Sequence, residues 1–260
     1  MRNASQAIWL WSHVENLDWS KWGLDRTSRI TPAAAAEFLG IENLLLVTYA
    51  DQPAPPFREY AAGLAGLKQV VWSALGAANC RRGSDLSAVL ELVPEMKNLT
   101  GVILDDFFNR RDRDGNPGTY TRAELMEMRR RLAATGRPLE LWGVLYNHQL
   151  ELPVAEKISA WDAVTFWHWT AEELERLETT LPRFEKLAAG RRKLLGLYMY
   201  DFGNRRPLPL SLMERQCRIG RDLLAAGRID GLIFLSSILG DQNLEAVEFT
   251  RGFVKENFRP

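Results

Sequence analysis

The chain has 260 residues, 46% of them hydrophobic and 25% charged, a balance that belongs to a folded soluble domain and excludes a disordered chain. Its 33 Lys and Arg balance 33 Asp and Glu, so no net charge draws it toward nucleic acid or an anionic membrane surface. The length fits the roughly 250 residues of an eight-unit α/β barrel, and one domain over 1–260 is the expectation.

Short apolar runs alternate with longer helical patterns, which is how strand–helix units on a parallel sheet read. The first strand is expected over residues 7–14. A Trp-rich loop follows it, and Thr31-Pro32 opens a helix as a cap followed by Pro in the first turn. Residues 43–50 give strand two, a Pro-broken loop over 52–56 leads to a helix near 57–67, and 69–75 give strand three. A helical pattern over 84–99 places Leu86, Val89, Leu90 and Val93 on one face, with Pro94 expected to break it.

Strand four is the apolar run over 100–108, which stops abruptly in two adjacent carboxylates, Asp105 and Asp106. Thr121 and Glu124 have capping-box spacing, and the helix they open should run to about Gly136. Residues 139–148 give strand five, 154–160 a short helix and 163–169 strand six. Thr170 and Glu173 form a second capping box, opening a long helix toward Ala189. Strand seven follows over 193–201. Ser211 and Glu214 supply a third capping box for a helix ending near Gly227, 231–237 give strand eight, and 243–258 a closing helix. Eight strands and eight helices predict a (β/α)8 TIM barrel; the rival doubly wound sheet would show a Gly-rich first turn, and none follows strand one.

Cys80 and Cys217 are far apart, so neither a disulfide framework nor a zinc cluster is implied. No apolar run reaches the 18 residues of a membrane span and no signal peptide is visible, which makes the cytoplasm the expected compartment. The basic clusters at Arg110, Arg111 and Arg113, at Arg129, Arg130 and Arg131, and at Arg191, Arg192 and Lys193 fall in loops or on solvated helix faces. Asp112, Asp114 and Asn116 mimic the start of a calcium loop, but Pro117 stands where that loop needs Gly and Ala123 where it needs Glu. A turn over 114–117 is the simpler account.

In a barrel of this kind the active site lies at the carboxyl ends of the strands, so the informative residues are those where each apolar run turns polar. They are His13 and Glu15, Tyr49 and Asp51, Trp72 and Ser73, then Asp105 and Asp106 in the first half of the chain. The second half gives Tyr146, Asn147 and His148, Trp167, His168 and Trp169, Tyr198, Tyr200 and Asp201, and finally Ser236 and Ser237. All three histidines of the chain belong to this set. Strand alternation puts Trp167 and Trp169 on the same side, straddling His168.

Aromatic planes suit the C–H faces of pyranose rings, and Asp, Asn and His suit their hydroxyls, so a carbohydrate substrate is expected and no cofactor is called for. A phosphorylated ligand fits less well, because only Gly203 and Gly240 stand in the loops that would cradle it, with Arg205 and Arg206 as nearby cations. Two adjacent carboxylates in one pocket cannot both ionise cheaply, so one should keep its proton while its neighbour stays charged.

An apolar fourth strand ending in Asp-Asp resembles the barrel glycoside hydrolases, and among them the O-GlcNAcase-type hexosaminidases, in which the sugar's own 2-acetamido group acts as nucleophile. The resemblance implies that Asp105 orients and polarises that group and that Asp106 is the general acid. It implies further that Tyr146 or Asn147 holds the intermediate and the sugar hydroxyls, with Trp167 or Trp169 beneath the ring. A second glycosidase design sets Asp201 across the mouth from Asp105 or Asp106, their separation deciding retention or inversion. His13, Tyr49, His148, His168 and Tyr200 complete the expected substrate-binding set.

Two rival classes are carried. A metal-dependent hydrolase or isomerase would gather His13, His148, His168 and Asp201 around one divalent ion. Against it, amidohydrolase barrels begin with two His separated by one residue, where strand one offers His13-Val14-Glu15. A non-catalytic sugar-binding barrel would keep the aromatic platforms without needing a perturbed acid.

Overall fold

The computed structural model describes residues 4–77 and 85–258. Eight strands pair in chain order, each parallel to the next, and the eighth closes on the first. They are β1 Ile8–Ser12, β2 Asn43–Leu46, β3 Gln69–Leu75, β4 Leu99–Leu104, β5 Glu140–Tyr146, β6 Ala163–Trp167, β7 Arg192–Tyr198 and β8 Gly231–Leu235. With helices on its outer side the architecture is the expected (β/α)8 TIM barrel. Cys80 lies outside the described residues; Cys217 is buried, and burial raises its thiol so far that it stays protonated.

Two tiers of indole rings fill the lumen. Trp9 of β1 meets Trp142 of β5, the strand opposite, edge to face at 4.9 Å. One step toward the carboxyl ends, Trp11 meets Trp167 of β6 at 5.1 Å. The second pair closes the lumen and becomes the floor of whatever lies above it.

The Trp167 ring fits because its neighbour on β7 is Gly196: a Cβ built there would stand 2.0 Å from the indole. Gly196→Ala must push Trp167 off its place. A loss of about 1–3 kcal/mol is expected for such overpacking, measured by chemical denaturation, and an unchanged midpoint would show that the ring has room to move.

The helices are α1 Pro32–Leu39, α2 Arg58–Ala62, α3 Asp85–Glu91, α4 Arg122–Ala133, α5 Ala155–Ile158, α6 Ala171–Leu174, α7 Leu177–Leu187, α8 Leu210–Ala225 and α9 Glu245–Phe258. Nine therefore stand among the described residues, where eight were expected, because the long helix over 170–189 is interrupted between α6 and α7. The caps behave differently from one another. At Thr121 the box closes, with the Thr121 N–H donating to Glu124 Oε2 at 2.7 Å and the Glu124 N–H to Thr121 Oγ1. At Thr170 the Glu173 carboxylate instead takes the Trp169 N–H at 2.7 Å, which ties the helix start to a mouth aromatic. The box at Ser211 does not form: α8 begins two residues earlier than such a cap would start it, behind Pro209, whose fixed φ of −56° starts the helix before Ser211 is reached.

Candidate active site

Asp105 extends the sheet by one step, its N–H donating to the carbonyl of Leu75 at 2.9 Å. Asp106 then turns into the left-handed region, with φ 48° and ψ 27°, a conformation Asp tolerates better than most residues. On a continuing strand two consecutive side chains would point to opposite faces. The turn at Asp106 brings both carboxylates into one cavity.

The segment that follows is pinned. Phe107 accepts from the Thr119 N–H and hydroxyl at 2.9 and 3.1 Å, and a Cβ on Gly118, which has φ 106°, would stand 2.4 Å from its ring. Lys157 of α5 donates to Asp112 Oδ2 at 2.7 Å and to the Pro117 carbonyl at 2.6 Å, with both side chains of the ion pair under 10% exposed. The other oxygen of Asp112 takes the N–H groups of Asp114 and Asn116, so the calcium-like spacing is a side-chain-capped turn.

The cavity above the indole floor measures about 410 Å³, within the range of small-ligand sites. Trp11 and Trp167 lie below; Trp19, Trp22, Tyr49, Trp169, Tyr198 and Phe202 form the walls; Asp105, Asp106, Asn109, Tyr146, His13, His148 and Lys21 supply polar groups. Trp19 stacks on Tyr49 at 4.2 Å, and the Trp22 indole N–H donates to the Tyr49 hydroxyl at 2.9 Å. Trp22 in turn meets Trp169 edge-on at 5.5 Å.

Electrostatics distinguish the two acids. Asp105 is 4% exposed, and burial, followed by the charge of Asp106 beside it, pushes its carboxyl well above the usual range despite the Asp106 N–H bonded to its Oδ1 at 2.8 Å. Burial and the neighbouring charge thus both favour the protonated form of Asp105. Asp106 accepts from the Tyr146 hydroxyl at 3.1 Å. Burial first, then the nearby carboxylates, holds the Tyr146 and Tyr198 phenols well above their ordinary value, so both stay hydrogen-bond donors.

His13 lines the cavity with both ring nitrogens engaged. An indole N–H can only donate, so the 3.2 Å contact from Trp11 Nε1 makes His13 Nε2 the acceptor. Nδ1 then carries the hydrogen and donates to the Val47 carbonyl at 2.9 Å. Burial lowers this imidazole to about 4, so it is neutral. His13 thus braces the wall and has no free donor to offer. His148 is exposed at the rim and stacks on Tyr146 at 5.5 Å.

Of the residues expected at the site, Asp105, Asp106, His13, Tyr49, Tyr146, His148, Trp167 and Trp169 line one cavity. Four do not. Asp201 is 1% exposed and held in its own loop, its oxygens accepting from Asn204 N–H groups and from Arg206 Nε at 3.3 Å. The design that sets Asp201 across the mouth is corrected accordingly.

His168 points away from Trp167 and Trp169, as alternation requires, and its Nε2 lies 2.8 Å from the Thr180 hydroxyl. The Tyr200 hydroxyl donates to the Gly23 carbonyl. Asn147 sits outside the cavity lining, its side-chain oxygen buried without a hydrogen-bond partner. The ligand set of the metal alternative is thereby split, since His13 and His148 reach the cavity and His168 and Asp201 do not. No other group of three His, Cys, Asp or Glu suited to a metal occurs among the described residues.

Sequence reading missed Trp19, Lys21 and Trp22, which come from the loop after β1. The Trp-rich composition of that loop was the available signal. Phe202 and Asn109 were missed as well, lying just past strand ends.

Solved structures similar to this fold include the PgaB (BpsB) glycoside hydrolase domain from Bordetella bronchiseptica, at 11% identity and TM-score 0.53, covering 94% of this chain and 98% of that one. A GH18 chitinase from Cycas revoluta in complex with (GlcNAc)3 is similar at 11% identity and TM-score 0.58, covering 95% and 99%. A probable 2-pyrone-4,6-dicarboxylic acid hydrolase from Acinetobacter baumannii is also similar, at 13% identity and TM-score 0.54, covering 96% and 91%. No protein-family model and no curated protein matches the sequence. At these identities the likeness establishes the fold, which hosts many chemistries; the activity has to come from the site.

Proposed function

We propose that this protein is a glycoside hydrolase acting on an N-acetylhexosaminide, with acid catalysis by the Asp105–Asp106 pair. One observation carries the reading: Asp105, buried and with its carboxyl pushed well above the usual range, and its neighbour Asp106 line one cavity walled by indole and phenol rings. Both two-carboxylate designs need acids on opposite sides of the scissile bond, about 5–5.5 Å or 6.5–9.5 Å apart. Among the described residues the cavity lining holds no Asp or Glu besides this pair, and both sit on a single turn. Adjacent acids favour substrate assistance, where the second nucleophile belongs to the sugar. The chitinase bound to (GlcNAc)3 supports the 2-acetamido sugar as the class to try first.

In this reading a pyranose ring stacks on the cavity's indoles. Asp106, oriented by Tyr146, accepts the acetamido N–H and steadies the positive charge that develops at C1. The acetamido oxygen forms a bond to C1 as the bond from C1 to the leaving oxygen breaks, and Asp105 passes its proton to that oxygen. Water then opens the cyclic intermediate, returning a proton to Asp105. The roles are the reverse of those the resemblance implies, because burial and the neighbouring Asp106 charge favour the protonated form of Asp105.

A panel of aryl glycosides and chito-oligosaccharides tests the reading. Turnover is expected for N-acetylhexosaminides. Binding without turnover of any member selects the non-catalytic sugar-binding barrel instead, and neither binding nor turnover sinks the glycosidase reading.

A further inference from the structure

Resting on that reading, we infer that the site takes an oligosaccharide bearing an anionic substituent, a carboxylate or a sulfate, which Lys21 binds at the cavity rim.

Among the described residues lining the cavity, Lys21 is the one Lys or Arg. Its ammonium lies over two rings of the wall, 4.9 Å from the Tyr49 centroid and 5.3 Å from that of Trp22. Those rings are themselves fixed, Tyr49 by stacking on Trp19 and by the hydrogen bond from Trp22. Cation–π attraction therefore orders the ammonium without neutralising it. Asp18, an acid of the same loop, turns its carboxylate to the Ser20 N–H at 2.9 Å and feels Lys21 only as the least of the influences on its carboxyl.

Apart from Asp106, the polar groups of the cavity offer this charge little to match it. His13 is neutral and internally bonded, burial favours the protonated form of Asp105, and Tyr146 and Tyr198 remain phenols. Asp106 is half-buried and bonded to Tyr146, while Lys21 is solvent-exposed. A ligand with a negative substituent is therefore oriented, its charge held toward Lys21 and away from Asp106. A neutral sugar would use the same aromatic walls and take at most a hydrogen bond from the ammonium, without the charge–charge attraction.

The test uses oligosaccharides of alternating glucuronate and N-acetylhexosamine, the same oligosaccharides with the uronates reduced to neutral hexoses, and sulfated chito-oligosaccharides beside unsulfated ones. Binding is read by tryptophan fluorescence and titration calorimetry. At low salt the acidic member of a pair is expected to bind about fivefold more tightly than its neutral counterpart, as one exposed ion pair allows. That ratio should fall toward one in Lys21→Met, persist in Lys21→Arg, and shrink with added salt. The uronate and sulfate arms show which anion fits. Equal affinity for acidic and neutral members, or a preference that survives in Lys21→Met, overturns the inference while leaving the glycosidase reading standing. If no oligosaccharide of either kind binds, both fall.

Discussion

Asp105→Asn is expected to lower turnover of an N-acetylhexosaminide with a sugar leaving group by about 10²- to 10⁴-fold, the usual contribution of a positioned general acid. The same substitution should matter far less for a dinitrophenyl glycoside, whose leaving group departs without a proton. Asp106→Asn should slow both substrates alike, because stabilising charge at C1 and holding the acetamido group are needed whatever leaves. The side chains differ by one atom from their replacements, and the Asp106 N–H keeps an oxygen acceptor on residue 105. The opposite pattern, with Asp106→Asn masked by the activated leaving group, would assign the acid to Asp106, as the Asp-Asp resemblance implies. Equal losses with every substrate would remove general acid catalysis from the pair.

The barrel was legible because its information is periodic: apolar runs of strand length alternate with helical patterns, and each cap or breaker lies where the period changes. Asp105 and Asp106 were legible as the point where strand four turns polar. That both enter the cavity was not, since it depends on a left-handed turn at Asp106, which Asp permits and does not announce.

Asp201 reads as a strand-end acid like the others; only its loop partners, Asn204 and Arg206, withdraw it. His168 was decidable from alternation, because two indoles facing inward on either side of it force it outward. Trp19, Lys21 and Trp22 come from a loop without period, where position follows from tertiary packing alone.

Stability against pH should show two opposing slopes, and replacing Asp105 should remove one of them. Burial lowers His13 and His168 from 6.5 to about 4, so between those values the folded chain binds fewer protons than the unfolded one. Their stabilisation is present above pH 6.5 and is lost as pH falls toward 4. At 1.36 kcal/mol per pKa unit each is worth about 3 kcal/mol, a large share of the 5–15 kcal/mol that holds a typical fold.

Asp105 runs the other way. Its folded carboxyl titrates well above 3.8, so the folded chain binds the extra proton, and stability falls as pH rises through that window. Asp105→Asn abolishes the second slope and leaves the first. The variant should match the parent in denaturant midpoint below pH 3.8 and exceed it increasingly toward neutral pH. Urea titrations across pH measure this directly. A variant no more stable than the parent at neutral pH would mean that Asp105 carries no burial penalty, and the reason for placing the acid's proton there would go with it. A gain in stability joined to a loss of turnover is what a buried catalytic acid predicts, since the burial that destabilises the folded chain is the same burial that holds the proton ready.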